Sequence, residues 1–244
     1  MPGPGAYMFL HRLRHRRRQP ELMDQPGLDA RAHHAALRAL KRINWLSGSA
    51  GILWRPIRDL ARAGPGRPLR LLDVATGAGD VPLRLWRKAR RAGIPLEVAG
   101  CDVSPVSVDF AQRQAERQQA AVSFFEGDAC RGDLPVDYDV MTCSLFLHHL
   151  DQEQALALLR ALGRQTRQLV LVNDLNRSRA GYLLAWAGSR LLTRSRIVHV
   201  DGPRSVEGAF TIAEAKGLAE EAGLGGAQVE SRWPCRWLLS WRRS

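Results

Sequence analysis

Two glycines one residue apart, at the end of a short apolar run and flanked by carboxylates, are the part of this chain best suited to hold a ligand. The stretch reads Leu71-Leu72-Asp73-Val74-Ala75-Thr76-Gly77-Ala78-Gly79-Asp80. Gly77 and Gly79 let the backbone bend sharply and approach a ligand with no Cβ in between. The N-terminus of the helix expected to follow offers N–H groups to a carboxylate or phosphate. Dinucleotide-binding proteins use the same geometry, so the glycine pair alone does not choose the ligand. Two residues narrow the choice. Pro82 stands where a dinucleotide fingerprint needs its third glycine, and Asp73 repels a pyrophosphate but suits a cationic ammonium or sulfonium.

Two more acids fall where strands are expected to end. Asp102 follows the run 96–101, about where ribose-binding acids sit in α/β nucleotide folds. Asp128, in Glu126-Gly127-Asp128-Ala129, follows the run 121–126 and is placed to accept from an exocyclic amine. Each alone reads equally well as a loop or cap acid. Three acids and a glycine turn on the carboxyl edge of one sheet are a much more specific signal. His148-His149 follow the fourth expected strand. In one reading a ring packs against or caps the helix beginning at Asp151; in the other, a histidine at this edge accepts a proton near neutral pH. Asp174 closes the fifth strand on the same edge. His199 and Asp201 precede Gly202-Pro203, which is expected to form a turn. These three residues border an acceptor pocket in one reading and are loop residues in the other. Cys101, Cys130, Cys143 and Cys235 form no CxxC pair and have no histidine in ligand spacing, so no metal is expected and a reducing cytoplasm fits.

The elements that must position these residues alternate. Apolar runs at 69–74, 96–101, 121–126, 136–144 and 167–173 read as strands. Between them, 78–92, 105–119 and 151–163 read as helices. Near-continuous apolar strands in a β-α-β-α succession predict a doubly wound, mostly parallel α/β sheet covered on both faces. Before it, Ala36, Leu37, Leu40, Ile43 and Leu46 give a helical period within 29–63, broken at Ser47-Gly48 and closed by Gly64-Pro65-Gly66. After it, 180–192 reads as an inserted amphipathic helix. The stretch 211–222 reads as a helix with a capping box from Thr211 to Glu214, and 227–233 with 235–241 as a closing hairpin through Pro234. The expected divisions are a basic arm (1–28), a helical N-terminal lid (29–66) and a main domain (67–244) with a helical insert near 176–210.

With 45% hydrophobic residues in 244, a large core forms and global disorder is excluded. No apolar run is long enough to span a bilayer, and no apolar region follows the basic start as in a secretory signal. The net charge of +12 is almost all arginine, and His11-Arg12-Leu13-Arg14-His15-Arg16-Arg17-Arg18 is its densest run. Such a run is a solvated tail, or it is drawn to an anionic surface. The insert carries Tyr182, Leu183, Leu184, Trp186, Leu191 and Leu192 with Arg190, Arg194 and Arg196 nearby. Its apolar face either packs on the domain or forms a lid over a lipid-like acceptor. In the second case it would meet the inner membrane surface together with the basic arm and the Trp/Arg-rich end 232–243.

LDVATGAGD, CDVSPVSVDFA, EGDA and DVMTCSLFLHHL resemble the ordered motifs of class I S-adenosylmethionine-dependent methyltransferases, closest to the ubiquinone/menaquinone-biosynthesis type. The likeness runs from about Leu69 to Asp174, and more loosely through His199-Val200-Asp201-Gly202-Pro203 and Gly208-Ala209-Phe210-Thr211. It implies a seven-stranded sheet whose last strand is antiparallel. Ala75 departs from the glycine that many relatives carry. The resemblance also implies roles. Asp73, Ala75, Gly77, Ala78 and Gly79 would lie along the methionine part of the cofactor, with Asp73 anchoring its ammonium. Asp102, with Val103 beside it, would bind the ribose, Asp128 and Ala129 would read the adenine, and Ser144 would touch the methionine end. Small-molecule O-methyltransferases carry L-H-D-W after the same strand. Leu147-His148 resembles its start, which implies His148 as base, with His149 a substrate-positioning or structural residue. The implied reaction is O- or C-methylation of a small phenolic, quinol or enol acceptor. Methylation of RNA is opposed by Thr142-Cys143-Ser144-Leu145, which stands where amino-methylating nucleic-acid enzymes carry an Asn/Asp-Pro-Pro-aromatic stretch, and no RNA-binding module is recognisable. A non-catalytic scaffold is opposed by the intact acids and glycines.

Overall fold

The computed structural model describes residues 13–22, 48–64, 66–131, 134–135, 137–193 and 195–243. The first twelve residues, the periodic positions from Ala36 to Leu46, and Arg194 lie outside the described residues.

Seven strands form one sheet in the order β3-β2-β1-β4-β5-β7-β6. They are β1 (Leu69–Val74), β2 (Leu96–Asp102), β3 (Val122–Glu126), β4 (Tyr138–Ser144), β5 (Thr166–Leu175), β6 (Gln228–Arg232) and β7 (Arg236–Arg242). The first five pair in parallel, and β7 runs antiparallel to both β5 and β6, as the closing hairpin predicts. The helices are α1 (Ser49–Ala63), α2 (Asp80–Arg91), α3 (Pro105–Arg117), α4 (Gln152–Gln165), α5 (Arg179–Leu192), α6 (Arg196–Gly208) and α7 (Ile212–Glu221), with a short 3-10 turn at Leu147–His149.

Alternation along the strands divides the core into two layers. Leu72, Val74, Met141, Cys143, Val170, Val172 and Trp237 face α4 and α7, meeting Leu158, Leu159 and Leu218. Leu69, Leu71, Val140, Leu169, Leu171 and Leu238 face the opposite helices, meeting Leu53, Ile57 and Leu60 of α1 and Leu83 and Leu85 of α2. Each of these leucines contributes roughly 1.5–3 kcal/mol by leaving water. The described part of the expected lid, α1, is therefore a core helix: its apolar stripe is spent on the sheet.

Local signals set the helix ends. Ser104 caps α3, accepting from the Ser107 N–H at 3.3 Å, with Pro105 in the first turn. Reciprocal capping boxes join Asp151 to Gln154 and Thr211 to Glu214.

Three expectations need correction. Gly202-Pro203 forms no turn but lies inside α6, with Pro203 buried. The Trp/Arg-rich end is not a surface patch. Arg236 and Trp237 are buried, Trp237 donates to the Phe210 carbonyl at 3.0 Å, and Arg243 donates to the carbonyls of Gly163, Arg164 and Thr166. The hairpin tip Trp233 stands in solvent, at 84% exposure, and Arg242 and Arg243 are exposed at the end of β7. The insert helix α5 does not bury its apolar residues either. Leu183, Leu184, Trp186, Leu191 and Leu192 are all exposed, and Gly181 and Ser189 are its buried residues. No helix among the described residues is long and apolar enough to cross a membrane.

Candidate active site

At the end of β1 the chain turns back through Ala75, Gly77 and Gly79, all left-handed, at φ 53°, 53° and 73°. The Thr76 N–H donates to the Cys101 carbonyl at 3.0 Å, tying the turn to β2, and the Gly79 N–H donates to the Thr76 carbonyl at 3.0 Å. The two glycines answer different needs. A Cβ on Gly79 would lie 2.8 Å from both the Ala111 methyl and the Phe124 ring, so glycine lets α2 start this close to its neighbours. A Cβ on Gly77 would meet nothing within 4 Å, so this side of the turn is open. Ala75 shares the left-handed backbone at a cost of roughly 1–2 kcal/mol, which a glycine would avoid. Ala78 is buried against Phe110.

The three acids end adjacent strands, β1, β2 and β3, on one edge. Asp73 is only 2% exposed. Its carboxylate accepts from the Thr76 hydroxyl at 2.9 Å and from the Thr142 hydroxyl at 2.5 Å. Burial pushes its carboxyl up to about 7, more than those two hydroxyls pull it down. Asp102 reaches across to the glycine turn, accepting from the Gly77 N–H at 2.8 Å and from the Ser104 N–H at 3.0 Å. Val103 beside it is largely exposed. Asp128 accepts from the Cys130 N–H at 2.9 Å and faces Arg131 at 3.4 Å, while Ala129 is buried.

The ends of β4 and β5 add the polar atoms of Ser144, expected at the methionine end, and of Asn173, which the sequence did not point to. Ser144 and Asn173 are register partners on neighbouring strands. Among the described residues, the Ser144 hydroxyl and both amide atoms of Asn173 are buried without a hydrogen-bond partner. Such orphans are few in folded proteins and mark where a water or ligand completes the pairing. With the open side of Gly77 and the edge carboxylates, they fit an amphipathic cationic nucleotide. The legible clue to Asn173 was an amide ending the apolar run Leu169-Val170-Leu171-Val172.

His148 and Asp174 form the second centre. The His148 Nδ1–H donates to Asp174 Oδ1 at 2.7 Å, and the His148 backbone N–H donates to Oδ2 at 3.1 Å. The Leu175 N–H donates to Oδ1 at 2.6 Å. Burial raises the Asp174 carboxyl, but the charge and hydrogen bond of His148 outweigh it and hold the group below the usual carboxylate range. Both side chains are buried, and the His149 ring stacks on His148 with centroids 4.2 Å apart. Glu21 faces both rings, its Oε1 lying 3.8 Å from His148 Nε2 and 3.9 Å from His149 Nδ1. Nothing in the sequence linked Glu21 to this site.

Glu21 arrives on residues 13–22, which lie along α6 and the His148 turn. Arg16 donates to the carbonyls of Gly208, Leu147, His148 and Leu150 and lies over the Phe210 ring at 3.7 Å. The Arg17 N–H donates to the Glu207 carbonyl at 3.0 Å, and the Ser205 hydroxyl donates to Glu21 at 2.5 Å. This part of the basic run is a docked strap, held by backbone acceptors at the end of α6, and not a solvated tail. Asp201 belongs to the strap's seat, accepting from the Leu22 N–H at 2.9 Å. His199 bonds the Thr193 carbonyl through Nε2 at 2.8 Å. Neither lines the cavity of about 180 Å³ formed by Arg18, Glu21, His148, His149, Arg204 and Ser205 with their neighbours.

Residues 71–168 match the family described as a methyltransferase domain. The chain is 38% identical over 92 residues to a demethylmenaquinone methyltransferase of Deinococcus radiodurans, covering 37% of this chain and 36% of that protein. It is 37% identical over 129 residues to a demethylmenaquinone methyltransferase of Thermus thermophilus, covering 52% and 56%. The chain thus spans about half or less of these relatives. Human N-acetylserotonin methyltransferase, solved in complex with SAM, superposes with a TM-score of 0.61 at 17% identity, covering 88% of this chain and 56% of that one. Residues 71–168 thus form a methyltransferase domain, and the sheet shares its fold with solved methyltransferases.

Proposed function

We propose that this chain transfers a methyl group from S-adenosylmethionine to a small phenolic, quinol or enol acceptor. The His148–Asp174 pair, buried on the same sheet edge as the glycine turn, carries the acceptor class. S-adenosylmethionine supplies an electrophilic methyl carbon when bound. Gly77, Ala78 and Gly79 line its methionine part, Asp73 lies beneath the turn as counter-charge, Asp102 receives the ribose hydroxyls, and Asp128 with Ala129 borders the base. The Ser144 hydroxyl and the Asn173 amide complete the polar wall at the methionine end.

A phenol or enol is a better nucleophile as its anion, so its proton needs an acceptor in place. Asp174 holds the proton of His148 on Nδ1, which leaves the Nε2 lone pair as that acceptor. The imidazolium so formed lies between two carboxylates, those of Asp174 and Glu21. Two relatives are demethylmenaquinone methyltransferases, and the reduced form of demethylmenaquinone is a quinol, which supports this acceptor class. Whether carbon or oxygen is methylated is read by incubating the chain with labelled S-adenosylmethionine and quinol or phenol acceptors, then fragmenting the product by mass spectrometry.

Asp102→Ala is expected to weaken S-adenosylhomocysteine binding about 10–100-fold, the loss of a hydrogen-bonding charge of roughly 1.5–3 kcal/mol. Calorimetry measures it, and unchanged affinity removes Asp102 from the cofactor site.

The exposed face of α5, with Leu183, Trp186 and Leu191 beside Arg190 and Arg196, supports contact with an anionic membrane that presents a lipid-like acceptor. Arg190 lies over the Trp186 ring at 4.4 Å, a pairing suited to an interface. Flotation with anionic vesicles at low salt is expected to carry the chain upward. A chain that stays at the bottom rejects this contact.

A further inference from the structure

We propose that Glu21, His148 and His149 form a binding site for a late first-row divalent metal ion, with Zn²⁺ the ion their chemistry suits best. The ligand atoms of these three residues all lie within 4.8 Å of one another. With Glu21 Oε1 at 3.8 and 3.9 Å from the two ring nitrogens, a point equidistant from all three lies no more than about 2.5 Å from each. Zinc bonds of about 2.0–2.2 Å to nitrogen and oxygen are reached by small rotations of side chains already facing one centre.

Three further features belong to a metal site. Asp174 fixes His148 through Nδ1 and so aims Nε2 at the centre, the carboxylate–histidine support that tunes metal-binding imidazoles. Ser205 holds the Glu21 carboxylate at 2.5 Å, and the stack of His149 on His148 fixes the second ring. Glu21 and Asp174 are both buried and bring two carboxylates to this centre. Arg18 and Arg204 also line the cavity, their guanidiniums turned to the carbonyls of His149 and Pro20. A cavity of about 180 Å³ leaves space for a water as fourth ligand. Two imidazoles and one carboxylate with an open position form a set that zinc accepts.

One consequence rests on the proposed reaction. The ion and the acceptor's proton need the same Nε2 lone pair, so Zn²⁺ at this site blocks base catalysis and acts as an inhibitor that a chelator reverses.

The test is a calorimetric titration of the full chain with Zn²⁺, paired with the visible absorption of bound Co²⁺, neither of which depends on turnover. One ion per chain is expected, with a Co²⁺ spectrum free of thiolate charge-transfer bands. Glu21→Gln and His149→Ala should each weaken binding at least about tenfold, and Asp174→Asn about 10–100-fold. Circular dichroism melts and S-adenosylhomocysteine affinity confirm that these variants fold. A Cys130→Ser/Cys235→Ser chain should bind unchanged. No binding, binding indifferent to Glu21→Gln and His149→Ala, or binding lost with the two cysteines overturns the site. Zinc binding by a chain whose chelator-treated, metal-free form transfers no methyl group would overturn the proposed reaction and leave the site standing.

Discussion

Replacing His148 with alanine lowers kcat by about 10²–10⁴-fold, the range spanned by one positioned proton acceptor, and leaves S-adenosylhomocysteine affinity nearly unchanged. The separation follows from where the side chain works. His148 makes none of the contacts that shape the glycine turn, whereas its Nε2 is the imidazole atom that Asp174 leaves for a proton. Asp174→Asn is expected to reach a loss of similar order, because an amide no longer dictates which ring nitrogen carries the hydrogen. The two losses should not add, since each disables the same transfer. A structural role predicts a different pattern. Asp174 also accepts the backbone N–H groups of His148 and Leu175, so its replacement lowers the melting temperature as well. Single-turnover rates, read below the melting temperature of each variant, keep the two effects apart. Unchanged turnover in His148→Ala would remove this residue from the mechanism.

What the sequence made legible was whatever depends on neighbours along the chain. The central parallel strands were readable because β1, β2, β4 and β5 are buried over most of their length and so form apolar runs. The cap at Thr211 was readable because a capping box spans four residues. The acids at 73, 102 and 128 could be placed because strand ends are local events, and parallel topology then brings them to one edge. Contacts between distant segments were not readable. Glu21 meets His148 because Arg16 and Arg17 dock on the end of α6, and nothing within the arginine run announces those carbonyl partners. Gly202-Pro203 reads as a turn by local preference, yet burial of Val198, Pro203 and Val206 keeps α6 continuous through it. Arg236 looks like a surface charge in a basic tail. It is instead buried beneath α1, donating to the Ser49 hydroxyl at 2.5 Å. In α5 the error ran the other way: an amphipathic period shows which residues share a face, but not whether anything covers it.

The two glycines of the turn should fail in opposite ways, which makes them the most discriminating pair in the molecule. Both are left-handed, so alanine at either position costs roughly 1–2 kcal/mol of backbone strain. At Gly79 the added methyl also lies 2.8 Å from the Ala111 methyl and the Phe124 ring, which are held by α3 and β3 and cannot retreat without opening the sheet's edge. Overpacking of this kind adds about 1–3 kcal/mol, so Gly79→Ala should lose roughly 2–5 kcal/mol of stability. At Gly77 the methyl meets no protein atom within 4 Å, and only the backbone strain remains. The methyl projects instead into the space assigned to the cofactor, while the strained turn disturbs the Gly77 N–H that Asp102 accepts. Gly77→Ala should therefore fold with a modest loss and bind S-adenosylhomocysteine at least about tenfold more weakly, a difference near 1.4 kcal/mol. Denaturant melts and calorimetry on the two variants measure both axes. If Gly77→Ala binds as the parent does, the open side of this turn faces water rather than a nucleotide, and the cofactor must be sought elsewhere on the sheet.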